Sequence, residues 1–282
     1  MRRGWVDHAV GVLLPAGIVA ASFGAWWLVA SFEPRYVLPD PPSVFSTLAD
    51  DWGPVLDTDT ANTVKEFVLG FLVGIGFGFC LAVLMAHLRA ARRGLYPILI
   101  ASQAVPIIAI AAPLTIWLGF GIWPKLVIVT LIVFFPVVVN VLDGLMTVDE
   151  DLISLARAMG ASPARIFWHI RLPATLTPLF SALKLGAVFG VSGALFGEWV
   201  ATTTPGLGTY LLEQNSRLNT AGVFAAIFLL AVIGIGGFLI VAGIEKLATP
   251  WRTRSTPRRF PFRHAARPGT RAAAPTLEGG NP

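Results

Sequence analysis

The sequence predicts an all-α polytopic membrane protein with about six transmembrane helices. Three observations carry the prediction. Of 282 residues, 55% are hydrophobic and only 13% are charged, where a soluble domain carries roughly a quarter charged residues. The charges cluster between long apolar runs, as hydrocarbon demands. Each run approaches the ~20 residues a helix needs to cross a ~30 Å core, and without water in that core a single segment satisfies its own backbone groups only as a helix. The net charge of +5 does not indicate a nucleic acid partner, because the basic residues occupy short loops and one tail. The single cysteine, Cys80, lies inside an apolar run and reads as a small buried residue.

The first span runs from about Ala9 to Phe32 and carries no charge. Arg2 and Arg3 precede it, but its apolar stretch exceeds the roughly 7–15 residues of a signal core, so it reads as an uncleaved anchor. The second span is about Val64 to Ala86, and the third about Leu95 to Leu118, with Pro97, Pro106 and Pro113 inside it. The fourth is about Lys125 to Leu142, the fifth about Thr175 to Val200 with Lys184 within it, and the sixth about Leu218 to Ile244.

Lys and Arg set the orientation. With both termini cytoplasmic, Arg89, Arg92, Arg93, Arg157, Arg165, Arg171, Lys246 and the tail arginines fall inside, leaving Arg35, Lys65, Lys125 and Arg217 outside. The outer segment between spans one and two is acidic. Ser43 there is a candidate helix cap, and Val44, Phe45, Leu48 and Trp52 share one face, predicting a short amphipathic helix on the outer membrane surface. Residues 1–251 form the transmembrane domain. Residues 252–282, rich in Arg, Pro, Ala and Gly, read as a disordered basic cytoplasmic tail whose arginines are placed to meet anionic lipid.

The inner loop at about 147–173, between spans four and five, is too polar to span and too apolar to be merely solvated. Acidic residues at Asp149, Glu150 and Asp151 suit a helix N-terminus. Leu152, Leu155, Ala156 and Met159 share one face, and Gly160 stops the helix. Ser162 caps a second helix with Pro163 at its first position, Ile166, Phe167 and Ile170 make an apolar patch, and Pro173 ends the run. Such a helix pair suits a groove on another protein, or a resting place on its own bundle.

The spacing Ala156-x3-Gly160-x9-Ile170-x-Leu172-Pro173 resembles the coupling-loop signature of bacterial ABC-importer permeases. Ser154 and Leu155 depart from it, standing where Glu and Ala are usual. Ser102 to Ile110, Trp117 to Gly121, Phe134-Phe135-Pro136 and Gly197-Glu198-Trp199 look like the nitrate/sulfonate/taurine branch. Ser181 to Lys184 and Gly222 to Ala225 look closest to permeases for hydroxymethylpyrimidine-type thiamine precursors. The resemblance covers about Leu38 to Trp251. It implies the type I ABC importer permease fold in a bacterial cell membrane, and alternating access as the mechanism. The partners it implies are two cytoplasmic ATPase subunits, an extracytoplasmic binding protein and a second permease copy. It further implies that Ala156, Gly160, Ile166, Phe167, Ile170, Leu172 and Pro173 couple to the ATPase. The resemblance also implies that ATP and Mg are bound by the partner; no Gly-x4-Gly-Lys-Ser/Thr occurs in this sequence, and no cofactor or catalytic residue is expected in it.

Candidate residues for the path or gate follow. Gly186, Gly190, Gly193 and Gly197 make a smooth stripe on span five, and Gly70, Gly74 and Gly78 one on span two. Small residues permit close helix contact in lipid. Packing within one subunit is favoured for span two, and a pore or dimer seam for span five, which follows the coupling loop directly. Gln103 and Pro106 are path candidates beside the kinks that Pro106 and Pro113 produce. Lys184 and Glu198 are ionisable near the membrane interior, about 21 Å apart along a helix. Lys184 is placed to snorkel inward, and Glu198 to shape the outer gate. The alternative is an ion-gradient-driven secondary transporter with Glu198 as a proton site. Such folds show paired interrupted helices in related halves, which are not evident here.

Overall fold

Span four is the axis of the bundle, and small side chains on both sides make it so. The computed structural model describes residues 2–201 and 203–250, with side chains from residue 13 onward except Pro54. The basic tail expected at 252–282 lies outside the described residues. Among the described residues the chain is helical and contains no strand. The long helices are α1 (Arg2–Ala30), α3 (Asp57–His87), α6 (Ile122–Met146), α9 (Leu172–Val200) and α11 (Thr220–Ala248). Shorter ones are α2 (Pro41–Asp51), α4 (Arg89–Ser102), α5 (Ile107–Leu118), α7 (Glu150–Ala158), α8 (Pro163–Ile166) and α10 (Leu207–Ser216). Five helical stretches are long and apolar enough to cross a membrane, and the bent pair α4–α5, counted as one span, brings the number to six.

Val129, Val133, Val137 and Val141 recur every four residues on α6 and are fully buried. From one side the span-two glycines meet them: a Cβ added at Gly70, Gly74 or Gly78 would lie 2.5, 2.9 or 2.9 Å from the Cβ of Val129, Val133 or Val137. From the other side Gly193 faces the Val129 Cα at 3.1 Å and Gly197 the Lys125 Cα at 2.8 Å, while Gly190 faces the Phe67 ring at 3.0 Å. The span-five stripe therefore packs on α6 and α3 of its own subunit, as the span-two stripe does, and not on a dimer seam. The reason is geometric: a β-branched ridge needs a flat groove on each flank, and glycine lets the backbones close to contact.

This arrangement predicts graded costs. Gly193→Ala pushes a methyl against α6 backbone, whereas Gly190→Ala meets a ring edge that can turn, and Gly76 has nothing within 4 Å. Gly193→Ala should lower the thermal midpoint in detergent most, by an overpacking cost of about 1–3 kcal/mol. Gly190→Ala should cost less and Gly76→Ala nothing measurable. The reverse order would show that α9 does not sit flat on α6.

Several expectations change. Span three is not one kinked helix: α4 and α5 meet at 100° across residues 103–106. Pro106 lacks an N–H and its ring drives Val105 out of the helical region, so the helix restarts after it. Ser43 does not cap α2, which begins two residues earlier at Pro41; its hydroxyl donates to the Asp40 carbonyl at 2.8 Å. That helix rests on α11 through buried Val44 and an edge-to-face contact of Phe45 with Phe228. Pro173 does not end the coupling segment. A widened π-turn over Phe167–Arg171, in which the Leu172 N–H reaches back to the Phe167 carbonyl, absorbs the proline, and 163–200 runs on as one helical stretch. Cys80 is exposed and not buried. It sits about 200° round α3 from Gly78 and faces away from α6.

Candidate functional site

Three features come together along α4, α6 and α9: a shaped loop at one end, a broken helix midway, and a buried ionic cluster at the other end.

The loop folds as its residues direct. The Asp149 side chain accepts from the Asp151 N–H at 2.9 Å and caps α7. Gly160 takes φ +81°, where a side chain is strained. The Ala161 N–H then reaches the Ala156 carbonyl at 3.0 Å and the Gly160 N–H the Arg157 carbonyl at 2.9 Å, closing the helix end. The Ser162 hydroxyl accepts from the Arg165 N–H at 3.3 Å and starts α8. Gly160 therefore sets the turn between the two helices. Ile153 tethers α7 inward, while Leu152, Leu155 and Met159 stay exposed, Met159 by 80%, together with Trp168 at 63%. A groove of about 320 Å³ runs between α7 and the following turn, past Ala156, Met159, Ile166 and Ile170.

Ile166 and Phe167 do not belong to the outward face. Ile166 is buried, and Phe167 packs on the main core and lies 5.4 Å, ring to ring, from His87. Ile170, Leu172 and Pro173 are half-buried at the helix start. The exposed apolar surface is carried by α7 and Trp168. Lys184 does not snorkel; it pairs with Glu245 on α11.

At the α4–α5 elbow a cavity of about 510 Å³ opens between α4, α6 and α9. Gln103 lines it and is exposed, as is Pro106 at the head of α5. Phe134, Phe135 and Phe189 supply aromatic walls.

The cluster at the far end of α9 was only partly legible in the sequence. Lys125 is fully buried, and its ammonium donates to Glu66 Oε1 at 2.7 Å, the Thr204 carbonyl at 2.8 Å and Thr204 Oγ1 at 2.8 Å. These use all three of its protons. Glu198, also fully buried, accepts from Thr63 Oγ1 at 2.6 Å and the Gly208 N–H at 2.5 Å. Thr63 in turn accepts from the Leu207 N–H at 2.9 Å. A Cβ at Gly208 would lie 2.9 Å from Glu198 Oε2, so the chain passes this carboxylate only as glycine. Glu198 is thus the hub of an internal clasp joining α3, α9 and residues 204–208. It does not line the subunit's surface, and neither do Gly190 and Gly193. Beside the clasp, Tyr210 on α10 donates to Asp51 Oδ2 at 2.6 Å. Burial first, and then that carboxylate, push the phenol above its usual range.

Sequence reasoning missed Lys125 and Glu66 because each stands at the edge of an apolar run, where a charge ordinarily faces water. One lysine and two glutamates at the same end of three spans was the available signal.

Known proteins match this architecture. The family model for the binding-protein-dependent transport system inner membrane component matches residues 74–249. The formylaminopyrimidine transport permease protein ThiX of Halalkalibacterium halodurans is 32% identical, over 78% of this chain and 87% of its own. A probable ABC transporter permease protein of Haemophilus influenzae is 35% identical over 80% and 92%. The taurine transport system permease protein TauC of Escherichia coli is 31% identical over 85% and 90%. In fold, the chain superposes on a chain of the inward-facing MetNI methionine ABC transporter with a TM-score of 0.55 at 22% identity, covering 67% of this chain and 96% of that one. With a family model spanning most of its length and relatives above 30% identity, this chain belongs to the binding-protein-dependent transport system inner membrane components, the permease subunits of ABC importers.

Proposed function

We propose that two copies of this chain form the membrane path of an importer, with two cytoplasmic ATPase subunits that bind ATP and Mg and a binding protein outside. The observation that carries this is the exposed apolar face of α7 and Trp168 beside the start of a 38-residue helical stretch, Pro163–Val200. At ~1.5 Å per residue that stretch is about 57 Å long. Its inner end meets the ATPase through the coupling loop, and its outer end is held by the Lys125–Glu66–Glu198 clasp. Closure of the ATPases would tilt it as a lever, giving alternating access past Gln103 and Pro106. The solute is a small organic or anionic molecule, the range spanned by the relatives named for formylaminopyrimidine and taurine. Co-purification tests the reading: the tagged chain should retain its ATPase, and ATP hydrolysis should rise when the loaded binding protein is added. A chain that captures no ATPase would overturn it.

Both termini face the cytoplasm in this reading, and the Glu33 to Asp59 segment lies outside. Reporter fusions at residues 50 and 255 should report opposite compartments. The same compartment for both would end the six-span topology.

A further inference from the structure

We infer that the cavity at the α4–α5 elbow is a solute-binding site within the permease itself, built for a neutral, flat, nitrogen-containing heteroaromatic molecule and not for a sulfonate or other anion. This deepens the importer reading and rests on it. The volume of about 510 Å³ suits a small ligand. No ionisable side chain lines the cavity. An anion entering it would give up its water without a counterion, which a membrane-embedded apolar wall strongly disfavours. Phe134, Phe135 and Phe189 give the cavity aromatic walls on which a planar solute can pack, and Phe134 and Phe135 stand edge to face at 5.2 Å.

The polar contribution is specific. The Gln103 carboxamide makes no hydrogen bond among the described residues, although it stands in an apolar wall. A carboxamide offers one donor and one acceptor side by side, the complement of an exocyclic amino group next to a ring nitrogen. The backbone argues for a wet cavity and against a lipid-facing groove. The carbonyls of Gln103, Ala104 and Val105 accept no hydrogen bond among the described residues. Interrupted backbone at membrane depth is tolerated where it lines a water-filled path or is buried in protein.

The test uses the full-length permease in nanodiscs and saturation-transfer difference NMR with two probes, 4-amino-2-methylpyrimidine and ethanesulfonate. The pyrimidine should give a signal and ethanesulfonate none. Gln103→Leu should weaken the pyrimidine signal at least about tenfold, and Gln103→Arg should exchange the preference, gaining ethanesulfonate. That gain cannot come from misfolding. Equal signals from both probes in the native chain, or a pyrimidine signal indifferent to Gln103→Leu, would overturn the proposal. So would a cavity sealed by the second copy, seen as Gln103→Cys refusing a water-soluble maleimide with and without nucleotide on the ATPase. Failure of the ATPase to co-purify would instead overturn the importer reading, since probe binding is measured on the permease alone.

Discussion

Lys125→Met should destabilise the subunit more than any surface change, by about 3–5 kcal/mol, because it leaves Glu66 as a buried carboxylate without its cation. In the native fold the ammonium at 2.7 Å neutralises that carboxylate, and both side chains are out of solvent. The loss should appear as a fall on the order of 10 °C in the detergent thermal midpoint, and as reduced yield of monodisperse protein. The companion variant Lys125→Met/Glu66→Met removes both charges and should recover most of the loss, since an apolar pair of similar volume replaces a desolvated ion pair at little cost. A native midpoint for Lys125→Met would mean the pair carries no stability. A double variant no better than the single one would mean that the Thr204 contacts, and not the pairing, matter most. The clasp also holds the C-terminal end of α9 through Glu198, so under the proposed importer reading loosening it should weaken coupling of ATP hydrolysis to uptake.

The second large effect is expected at the coupling loop. Met159→Glu places a charge on the most exposed apolar side chain of the loop, at the capping position just after α7. If that face is the centre of the ATPase contact, its loss should cost about 2 kcal/mol or more, roughly a 30-fold weaker association. Membrane insertion and thermal stability should stay native, because Met159 touches little within the subunit. Phe167→Asp should behave in the opposite way. Its ring packs against His87 and the main core, so it should lower stability first and ATPase association only as a consequence. Pull-down with purified ATPase, read beside size-exclusion thermostability, separates the two. Native ATPase binding by Met159→Glu would remove α7 from the interface and return the helix pair to a resting place on its own bundle.

What this sequence determined by itself is what depends on one-dimensional properties. Span lengths follow from bilayer thickness, so α3, α6 and α9 enclose the runs read from hydropathy, extended by a few residues at one or both ends, and α11 begins two residues after its run and ends four residues beyond it. Capping chemistry is local, so Asp149, Gly160 and Ser162 place the ends of α7 and α8 where their side chains and φ preferences require. The glycine stripes were legible as smooth faces.

Partnership was not legible, because it depends on how faces rotate toward one another. Only the tertiary structure decided that both glycine stripes grip the valine ridge of α6, that Phe167 turns inward while Met159 turns out, and that Cys80 faces away from the core. Only it decided that Lys125, Glu66 and Glu198, distant in sequence and each at the margin of an apolar run, meet at one end of the bundle. A helix places a side chain by about 100° per residue, so small changes in where helices meet exchange inside for outside. Hydropathy says that a residue lies in a span, and packing alone says what it touches there.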